Sequence, residues 1–439
     1  MKQVPNYTTK IEYIEYINDY PQEFTDQLIN KGICRVSENK IKFIATGVII
    51  YKNSLIIIFP KAYKVPTEDE LLKEHIQILF DVLLRYRREA KLTPEEMNLL
   101  GVENGQLNGN LFTSYRLIQD FIQNGLLMKE IKIKDSTNSG HIDWSATINK
   151  KQPLISRGSV IYADPISRKT IIDRQHQLLV IHKYCVYKSL EKYGWLFGVT
   201  SDDANLDVTE LNCDINYAIS FLTTELNSTF IEREINIIKM IMNFLLGIEQ
   251  KDREEKIETL VTPYFQNVWE QVCSTIFNNQ YKILKKIIPK LKWEIDSPAI
   301  VQPQRPDIIM LRRRTMYILD AKYYNTYVNL PGWHDVVKQL FYAITIFNNI
   351  NSKDFRLHDK KLEKKVKEII KVENIFLFPS EEEEPIKYVG KVNIERNQDF
   401  EDIRAYKLNT FFVMKCYIGK GNYDYINSLE KITACLNKE

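Results

Sequence analysis

Two carboxylates and one ammonium group flank short apolar segments in the last third of the chain. Asp307 precedes an apolar run that ends at Leu311, Asp320 closes a second apolar run, and Lys322 follows two residues later. Carboxylate oxygens are the ligands that hard divalent cations such as Mg²⁺ prefer. A cation held there polarises a phosphoryl oxygen and lowers the pKa of an attacking water. The lysine can orient that water or offset charge on the transition state. The spacing therefore predicts metal-dependent phosphoryl chemistry.

A β-hairpin would bring the three groups together. A short polar stretch separates the two apolar runs, which is typical of a hairpin. If the turn is centred between Arg313 and Arg314, Asp307 lies opposite Asp320. Side chains alternate along a strand, so Lys322 falls on the same face as Asp320. Like charges directly opposite destabilise a sheet, and a cation between them would remove that cost.

Each of these residues also has an ordinary structural explanation. Asp307 suits a turn after Pro306, and Asp320 with Lys322 suits the solvated end of a strand. The joint pattern is harder to explain in this way. A Pro-Asp start, an apolar strand, a turn, a second apolar strand and then Asp-x-Lys together favour a nuclease site.

The same residues carry a resemblance to a known superfamily. Pro306-Asp307 with Asp320-Ala321-Lys322 resembles the PD-(D/E)xK nuclease signature. In its RecB-like branch, the next helix carries a glutamine and shortly afterwards a tyrosine, and here Gln339 and Tyr342 share one helix face. The resemblance implies that Gln339 contacts the nucleophilic water or a DNA phosphate. Lys338 and Tyr342 are then candidate DNA contacts. For Gln339 and Tyr342, a neutral helix surface is the alternative.

Two further sets of residues are weaker candidates. Glu270 follows Trp269 on the first predicted helix of the domain, where many related enzymes add a third acidic residue. The resemblance implies that Glu270 binds metal directly or through water, and an ordinary exposed glutamate is the alternative. Arg312, Arg313 and Arg314 at the hairpin tip either clamp phosphate or form a solvated turn.

The more specific resemblance is to the LlaJI-type restriction endonucleases, which are related to the McrC nuclease subunits. It covers residues 269–346 and, more weakly, the segment Gly140-His141-Ile142-Asp143-Trp144. This family implies cleavage of double-stranded DNA in host defence, either as a type II-like or as a McrC-like deoxyribonuclease. It implies Mg²⁺ as cofactor, with Mn²⁺ as a substitute, and a cognate DNA methyltransferase that protects the host. McrC-like subunits also work with a separate AAA+ GTPase motor of the McrB type.

Two rival functions remain open. A RecB-like repair exonuclease would share the signature, but would need a DNA end. A non-catalytic DNA-binding adaptor subunit would keep the fold without cutting. The intact set of Asp307, Asp320 and Lys322 argues against the adaptor, because an inactive site is free to lose one of them.

The surrounding pattern predicts a mixed α/β protein in two parts. Residues 256–439 are expected to form the PD-(D/E)xK restriction-endonuclease-like domain, a central mixed sheet flanked by helices. Residues 1–255 are expected to serve recognition or partner docking, with a β-rich start around a turn at Lys52-Asn53 and then helices. The predicted helices are 67–88, 111–127, 171–193, 205–226, 230–246, 263–277 and 334–347. The predicted nuclease strands are 292–295, 308–311, 316–321, 375–378 and 386–392.

The composition indicates which class of protein and which cellular location to expect. With 44% hydrophobic and 27% charged residues, and no run of about 18 apolar residues, a soluble protein without a membrane span is expected. The six cysteines include no C-x-x-C pair, which suggests reduced thiols and a cytoplasmic location. No G-x-x-x-x-G-K-[ST] motif occurs, so any nucleotide-driven motor would be another subunit. A dimer is left open.

The charge is uneven along the chain. Residues 256–439 hold 29 Lys and Arg against 23 Asp and Glu, whereas the whole chain has a net charge of +3. The basic excess therefore lies in the half with the candidate site, which suits a polyanionic substrate. A lysine-rich solvated surface would give the same excess.

Overall fold

The computed structural model describes residues 6–51, 54–103, 106–107, 110–135, 140–173, 175–199, 206, 210–249, 257–291, 304–326, 329–395 and 401–436. The chain forms two compact units. One comprises Leu107–Glu255, and the other comprises Pro5–Gln106 together with Lys256–Glu439. In the described part, no helix is long and apolar enough to cross a membrane.

The chain begins with a strand-rich segment that ends at Phe59, as predicted, and two helices follow it. The elements are β1 (Asn6–Ile11), β2 (Glu15–Ile17), α1 (Gln22–Asn30), β3 (Cys34–Ser37), β4 (Lys40–Phe43), β5 (Thr46–Tyr51), β6 (Ser54–Phe59), α2 (Asp69–Glu89), α3 (Pro94–Leu99), β7 (Val102–Glu103) and β8 (Gln106–Leu107). Strands β5 and β6 pair antiparallel from Gly47↔Ile58 to Tyr51↔Ser54. The predicted hairpin is therefore confirmed, although its turn residues, 52 and 53, lie outside the described residues. Helix α2 begins two residues after the predicted start.

The unit of residues 107–255 combines a helical core with small sheets. Its elements are α4 (Asn110–Asn124), β9 (Glu130–Asp135), β10 (His141–Ile142), α5 (Trp144–Lys150), β11 (Leu154–Ser156), β12 (Ser159–Ile161), β13 (Ser167–Ile172), α6 (Gln177–Tyr193), a 3₁₀ turn (Gly194–Phe197), α7 (Ile215–Ser228) and α8 (Glu232–Glu249). Leu117, Ile181, Leu222 and Ile238, one from each of α4, α6, α7 and α8, share one buried apolar cluster.

Two predicted helix starts in this unit are wrong. The helix expected from residue 171 begins at Gln177, because residues 171–172 belong to β13 and the His176 side chain caps the helix by accepting a hydrogen bond from Leu178 N. The helix expected from residue 205 begins at Ile215, because the Asp214 carboxylate accepts from Asn216 N. A side-chain acceptor at this position satisfies a backbone donor that the helix itself leaves unpaired.

The remaining chain adds one strand to the sheet of β1, β5 and β6, and builds a five-stranded sheet with its helices. The elements are β14 (Glu258–Thr262), α9 (Phe265–Ile276), α10 (Tyr281–Leu284), β15 (Ile308–Arg312), β16 (Thr315–Ala321), α11 (Trp333–Asn351), α12 (Lys360–Lys367), β17 (Lys371–Ser380), β18 (Ile386–Val392), β19 (Ile403–Asn409), α13 (Thr410–Tyr417) and α14 (Tyr425–Leu436). The five-stranded sheet has the order β15-β16-β17-β19-β18. Its three central strands are parallel and each edge strand is antiparallel to its neighbour, so the predicted mixed sheet is confirmed. The strand expected at 292–295 lies outside the described residues.

The expected division into consecutive domains, 1–255 and 256–439, does not match these units. Strand β14, which opens the second segment, pairs antiparallel with β5 from the first, and Gly47 faces Val261 there. A Cβ atom on Gly47 would lie 2.0 Å from the Leu260 carbonyl oxygen, so the missing side chain permits this close approach. Residues 5–106 thus belong to the same unit as residues 256–439, and residues 107–255 are inserted between these two segments in the sequence.

Candidate active site

The hairpin β15–β16 has the predicted register. Ile308 pairs with Leu319 and Arg312 pairs with Thr315, which leaves a two-residue turn of Arg313 and Arg314. Arg313 has a φ of 52°, the left-handed backbone that the first residue of such a tight turn adopts. Asp307 therefore stands one residue before β15, level with Asp320 near the end of β16.

Asp307 and Asp320 form a tight carboxylate pair at the open end of the hairpin. Asp307 Oδ2 accepts a hydrogen bond from Ala321 N at 3.1 Å. Burial, followed by the charges of Asp320 and Glu270, raises the pKa of Asp307 to about 7. Asp320 is only 2% exposed. The two groups thus repel each other in a poorly solvated place, which favours a bound counter-charge.

Lys322 supplies part of that counter-charge. Its Nζ lies 2.7 Å from Asp320 Oδ2 and donates to Asp335 Oδ1, also at 2.7 Å. Burial alone would lower the pKa of Lys322, but the ion pairs with Asp320 and Asp335 outweigh it and raise the pKa above its ordinary value. The ammonium group is therefore fixed between two carboxylates. Sequence reasoning missed Asp335, because an acidic residue in the first turn of a helix is common for reasons of helix stability alone.

The structure also brings Lys338 and Glu270 to this site. Lys338 Nζ lies 3.8 Å from Asp320 Oδ1. Glu270 keeps an exposed surface on α9. Partial withdrawal of its carboxyl group from water, followed by the charge of Asp320, raises the pKa of Glu270. Across the described residues, however, no three or more His, Cys, Asp or Glu side chains are grouped closely enough to hold a metal ion together. Direct ligation by Glu270 is therefore not supported.

Gln339 and Tyr342 are turned away from solvent, contrary to their expected role. Gln339 is 1% exposed and its Nε2 donates to the Ile318 carbonyl oxygen at 2.7 Å. Tyr342 is 8% exposed and its hydroxyl donates to the Arg305 carbonyl oxygen at 3.3 Å. These two hydrogen bonds connect α11 to the backbone of β16 and to the segment that precedes β15. Neither side chain is arranged to reach DNA in this state.

Gln339→Ala is expected to lower the free energy of unfolding by about 2 kcal/mol, because the buried Ile318 carbonyl would lose its donor. Urea unfolding measures this change. Asn348→Ala, on the exposed face of the same helix, serves as the control and should leave stability nearly unchanged. A Gln339→Ala protein with full stability but reduced cleavage would instead favour the expected contact with water or phosphate.

The three arginines lie at the other end of the hairpin from the carboxylates. Six residues of strand separate Asp307 from Arg313, which corresponds to roughly 20 Å. Arg312 Nε lies 3.3 Å from Glu430 Oε1, and Arg314 Nε donates to the Glu368 carbonyl oxygen at 3.1 Å. Two of the three thus have partners within the protein. At this distance the arginines do not reach a phosphate that is bound at Asp307 and Asp320.

Tyr323 makes a buried contact directly after Lys322, just beyond the end of β16. Tyr323, next to Lys322, donates a hydrogen bond from its hydroxyl to Glu12 Oε2 at 2.7 Å, and Lys61 N donates to the same hydroxyl at 3.0 Å. Burial raises the pKa of Glu12, and the bond from Tyr323 opposes that rise. Residues of the first segment therefore help to position the segment that carries Lys322.

The donor set fits a hydrated Mg²⁺ ion. Asp320 Oδ2 is buried and lies 2.7 Å from the Lys322 ammonium, and Asp307 stands level with Asp320 across the hairpin. Mg²⁺ usually keeps several waters and takes only one or two protein carboxylates. Asp307 and Asp320 can supply those two, without a third acidic ligand.

Comparison with known proteins adds a family. The family model described as LlaJI restriction endonuclease matches residues 45–412. A curated relative, the type II restriction enzyme BsuMI component YdjA of Bacillus subtilis (strain 168), is 28% identical over 402 residues, which cover 87% of this chain and 81% of that protein.

Among solved structures, one match is a chain from a half-complex of the tetradecameric assembly of Thermococcus gammatolerans McrB AAA+ hexamers with bound McrC. It covers 97% of this chain and 100% of that chain, with 16% identity and a TM-score of 0.42. A score of this size does not establish a shared fold. The match of the family model over most of the sequence does establish membership: the chain belongs to the LlaJI restriction endonuclease family.

Proposed function

We propose that this chain, a nuclease of a restriction system by its family, hydrolyses phosphodiester bonds of double-stranded DNA with Mg²⁺ at Asp307, Asp320 and Lys322. One observation carries the proposal. Two carboxylates meet at the end of a hairpin, where burial and then the charges of Asp320 and Glu270 raise the pKa of Asp307 to about 7, and an ammonium group lies 2.7 Å from Asp320. A stable fold has little reason to keep such a pair, whereas metal-dependent hydrolysis requires it.

Each residue has a defined part in this proposal. A bound cation would neutralise the two carboxylates and polarise a phosphoryl oxygen. Asp307 and Asp320 would hold the cation, and Glu270 would contact it through a water molecule. Lys322 stays protonated, because its ion pairs raise its pKa, so it serves as a fixed positive charge beside the phosphate and not as a base. The hydrogen bond to Asp335 would keep the ammonium group in place if Asp320 held a cation.

The partners follow from the family relation and from what the sequence lacks. The Bacillus relative is described as a component of a restriction enzyme, which supports a system of several subunits. The chain itself has no P-loop motif, so an AAA+ GTPase would be a separate subunit if cleavage requires a motor. We propose a cognate methyltransferase as the protection of host DNA. A McrC-like, motor-dependent enzyme and an autonomous type II-like enzyme differ in whether this chain cuts alone.

Cleavage of a covalently closed plasmid tests the proposal. The purified chain, with and without the other proteins of its system and with and without GTP, should nick or linearise the plasmid in Mg²⁺ or Mn²⁺. Ca²⁺ should support little cleavage, and EDTA should abolish it. Methylated and unmethylated copies of the plasmid show whether methylation blocks the cut.

The other outcomes of this experiment are equally informative. Cleavage of linear DNA only, with no product from the closed circle, would identify an exonuclease of the RecB-like kind. Equal cleavage with EDTA present would exclude the metal mechanism. DNA binding without cleavage in the complete system would favour a non-catalytic adaptor.

A further inference from the structure

A stripe of exposed apolar side chains runs along α11. Trp333, Val337 and Phe341 are 71%, 49% and 53% exposed and recur every fourth residue, so they share one face of the helix. Val336 and Leu340 are buried on another face. The helix is therefore apolar on two sides, and the protein covers one of them. An exposed patch of this kind usually marks a contact surface. We call these three residues the α11 stripe.

The stripe lies next to the candidate active site. Lys338 follows Val337 directly, and its Nζ is 3.8 Å from Asp320 Oδ1. Asp335, two residues after Trp333, holds the Lys322 ammonium at 2.7 Å. The helical turns that present the stripe thus also present two side chains that reach the catalytic groups. At 1.5 Å per residue, the stripe extends about 12 Å along the helix.

The surroundings of the stripe suit nucleic acid better than a protein partner. A shallow groove of about 370 Å³ is lined by Trp333, His334, Val337, Lys338 and Phe341, without an acidic side chain. Asp335 nearby is already paired with Lys322. Aromatic rings stack on bases or insert between them, and lysines neutralise phosphates, so this combination is typical of surfaces that bind DNA strands.

The expected position of the DNA substrate also indicates that DNA covers the α11 stripe. A duplex with a phosphate at Asp320 must cover the adjoining surface, because its major groove alone is about 12 Å wide. The α11 stripe begins within one or two helical turns of Lys338. A second copy of the chain seated on the stripe would compete with DNA for this surface.

We propose that the α11 stripe binds the bases and sugars of the DNA strand that is cut. Trp333 and Phe341 pack against base faces and so hold the scissile phosphate over Asp320, while Lys338 binds the neighbouring phosphate. This inference rests on the proposed function, since it needs DNA at the carboxylates.

Binding of a short DNA duplex and of its single strand to the full-length chain tests the inference. Ca²⁺ replaces Mg²⁺ so that no cleavage occurs, and affinity is measured at several salt concentrations. Trp333→Ala and Phe341→Ala should each weaken binding about 5- to 100-fold without changing the salt dependence, because apolar contacts release no counterions. Lys338→Ala should lower the slope of log affinity against log salt by about one. Ile370→Ala, which removes an equally exposed apolar side chain near the hairpin tip, should change neither.

The inference is overturned if wild-type protein does not bind either DNA, or if Trp333→Ala and Phe341→Ala bind as tightly as wild type. Sedimentation that shows a dimer lost in Trp333→Ala, with DNA affinity per chain unchanged, would instead identify a second copy as the occupant. The proposed function fails separately. The proposed function is contradicted if wild-type protein binds DNA through Trp333 but does not cut it when its whole system and Mg²⁺ are present. That result would still support the α11 stripe as a DNA-binding surface.

Discussion

Replacing Asp320 by alanine should reduce DNA cleavage by at least about a hundredfold while the protein stays folded. The substitution removes one of the two carboxylates proposed to bind Mg²⁺, and loss of one transition-state-stabilising group alone costs on the order of 10²–10³ in rate. The fold should not suffer, because the repulsion of Asp307 disappears and Lys322 keeps its pair with Asp335. Cleavage rates in Mg²⁺ and thermal unfolding in EDTA measure the two effects.

Affinity for DNA distinguishes a catalytic loss from a binding loss. In EDTA, where no cation occupies the site, Asp320→Ala should bind a duplex at least as well as wild type, because a negative charge beside the phosphate has been removed. Asp354→Ala is the matched control, since it deletes an exposed carboxylate in the same unit and should cut normally. Full cleavage by Asp320→Ala would show that the site has been assigned to the wrong residues.

The hairpin could be predicted because everything that defines it is local in sequence. Two apolar runs around a two-residue turn fix the register, and the register puts Asp307 level with Asp320. The type of the nearby helix was equally clear from its periodicity. Its orientation was not, since both the Val336 and the Val337 faces are apolar and periodicity does not say which of them the sheet covers. For this reason Gln339 was expected at the water and is found buried against Ile318.

The long-range parts of the site could not be predicted from local pattern. Glu12 and Tyr323 are 311 residues apart in sequence, and long-range contacts such as the pairing of β14 with β5 bring their segments into one unit. Gly47 was a faint signal of that pairing, because a glycine inside an apolar strand often marks close backbone approach. From the sequence alone, Gly47 is equally consistent with a β-bulge, because the partner strand is not known. For this reason the compact units of the structure do not follow the expected division into consecutive domains.

Asp307→Asn should make the metal-free protein more stable at pH 8 and abolish cleavage. Burial and the neighbouring charges raise the pKa of Asp307 from 3.8 to about 7 in the folded state. The folded protein therefore binds a proton there that the unfolded chain has already lost. This contribution to stability is complete below pH about 4 and is lost as the pH rises through about 7. Asparagine has no such loss and can still accept the bond from Ala321 N.

The expected gain is on the order of 2 kcal/mol at pH 8, after allowance for partial exposure and for the charge shared with Asp320. In a unit of this size that corresponds to a rise of about 4–8 °C in the unfolding midpoint. Unfolding in EDTA at a series of pH values should show the two proteins converging near pH 4. Added Mg²⁺ should then stabilise wild type but not Asp307→Asn, because binding to the folded state alone raises stability. Two results would contradict this prediction: a variant that is less stable than wild type at pH 8, or a variant that Mg²⁺ stabilises as much as wild type. Either result would mean that Asp307 is an ordinary turn residue. Removing the charge of a buried carboxylate raises stability only where that charge is repelled by its surroundings.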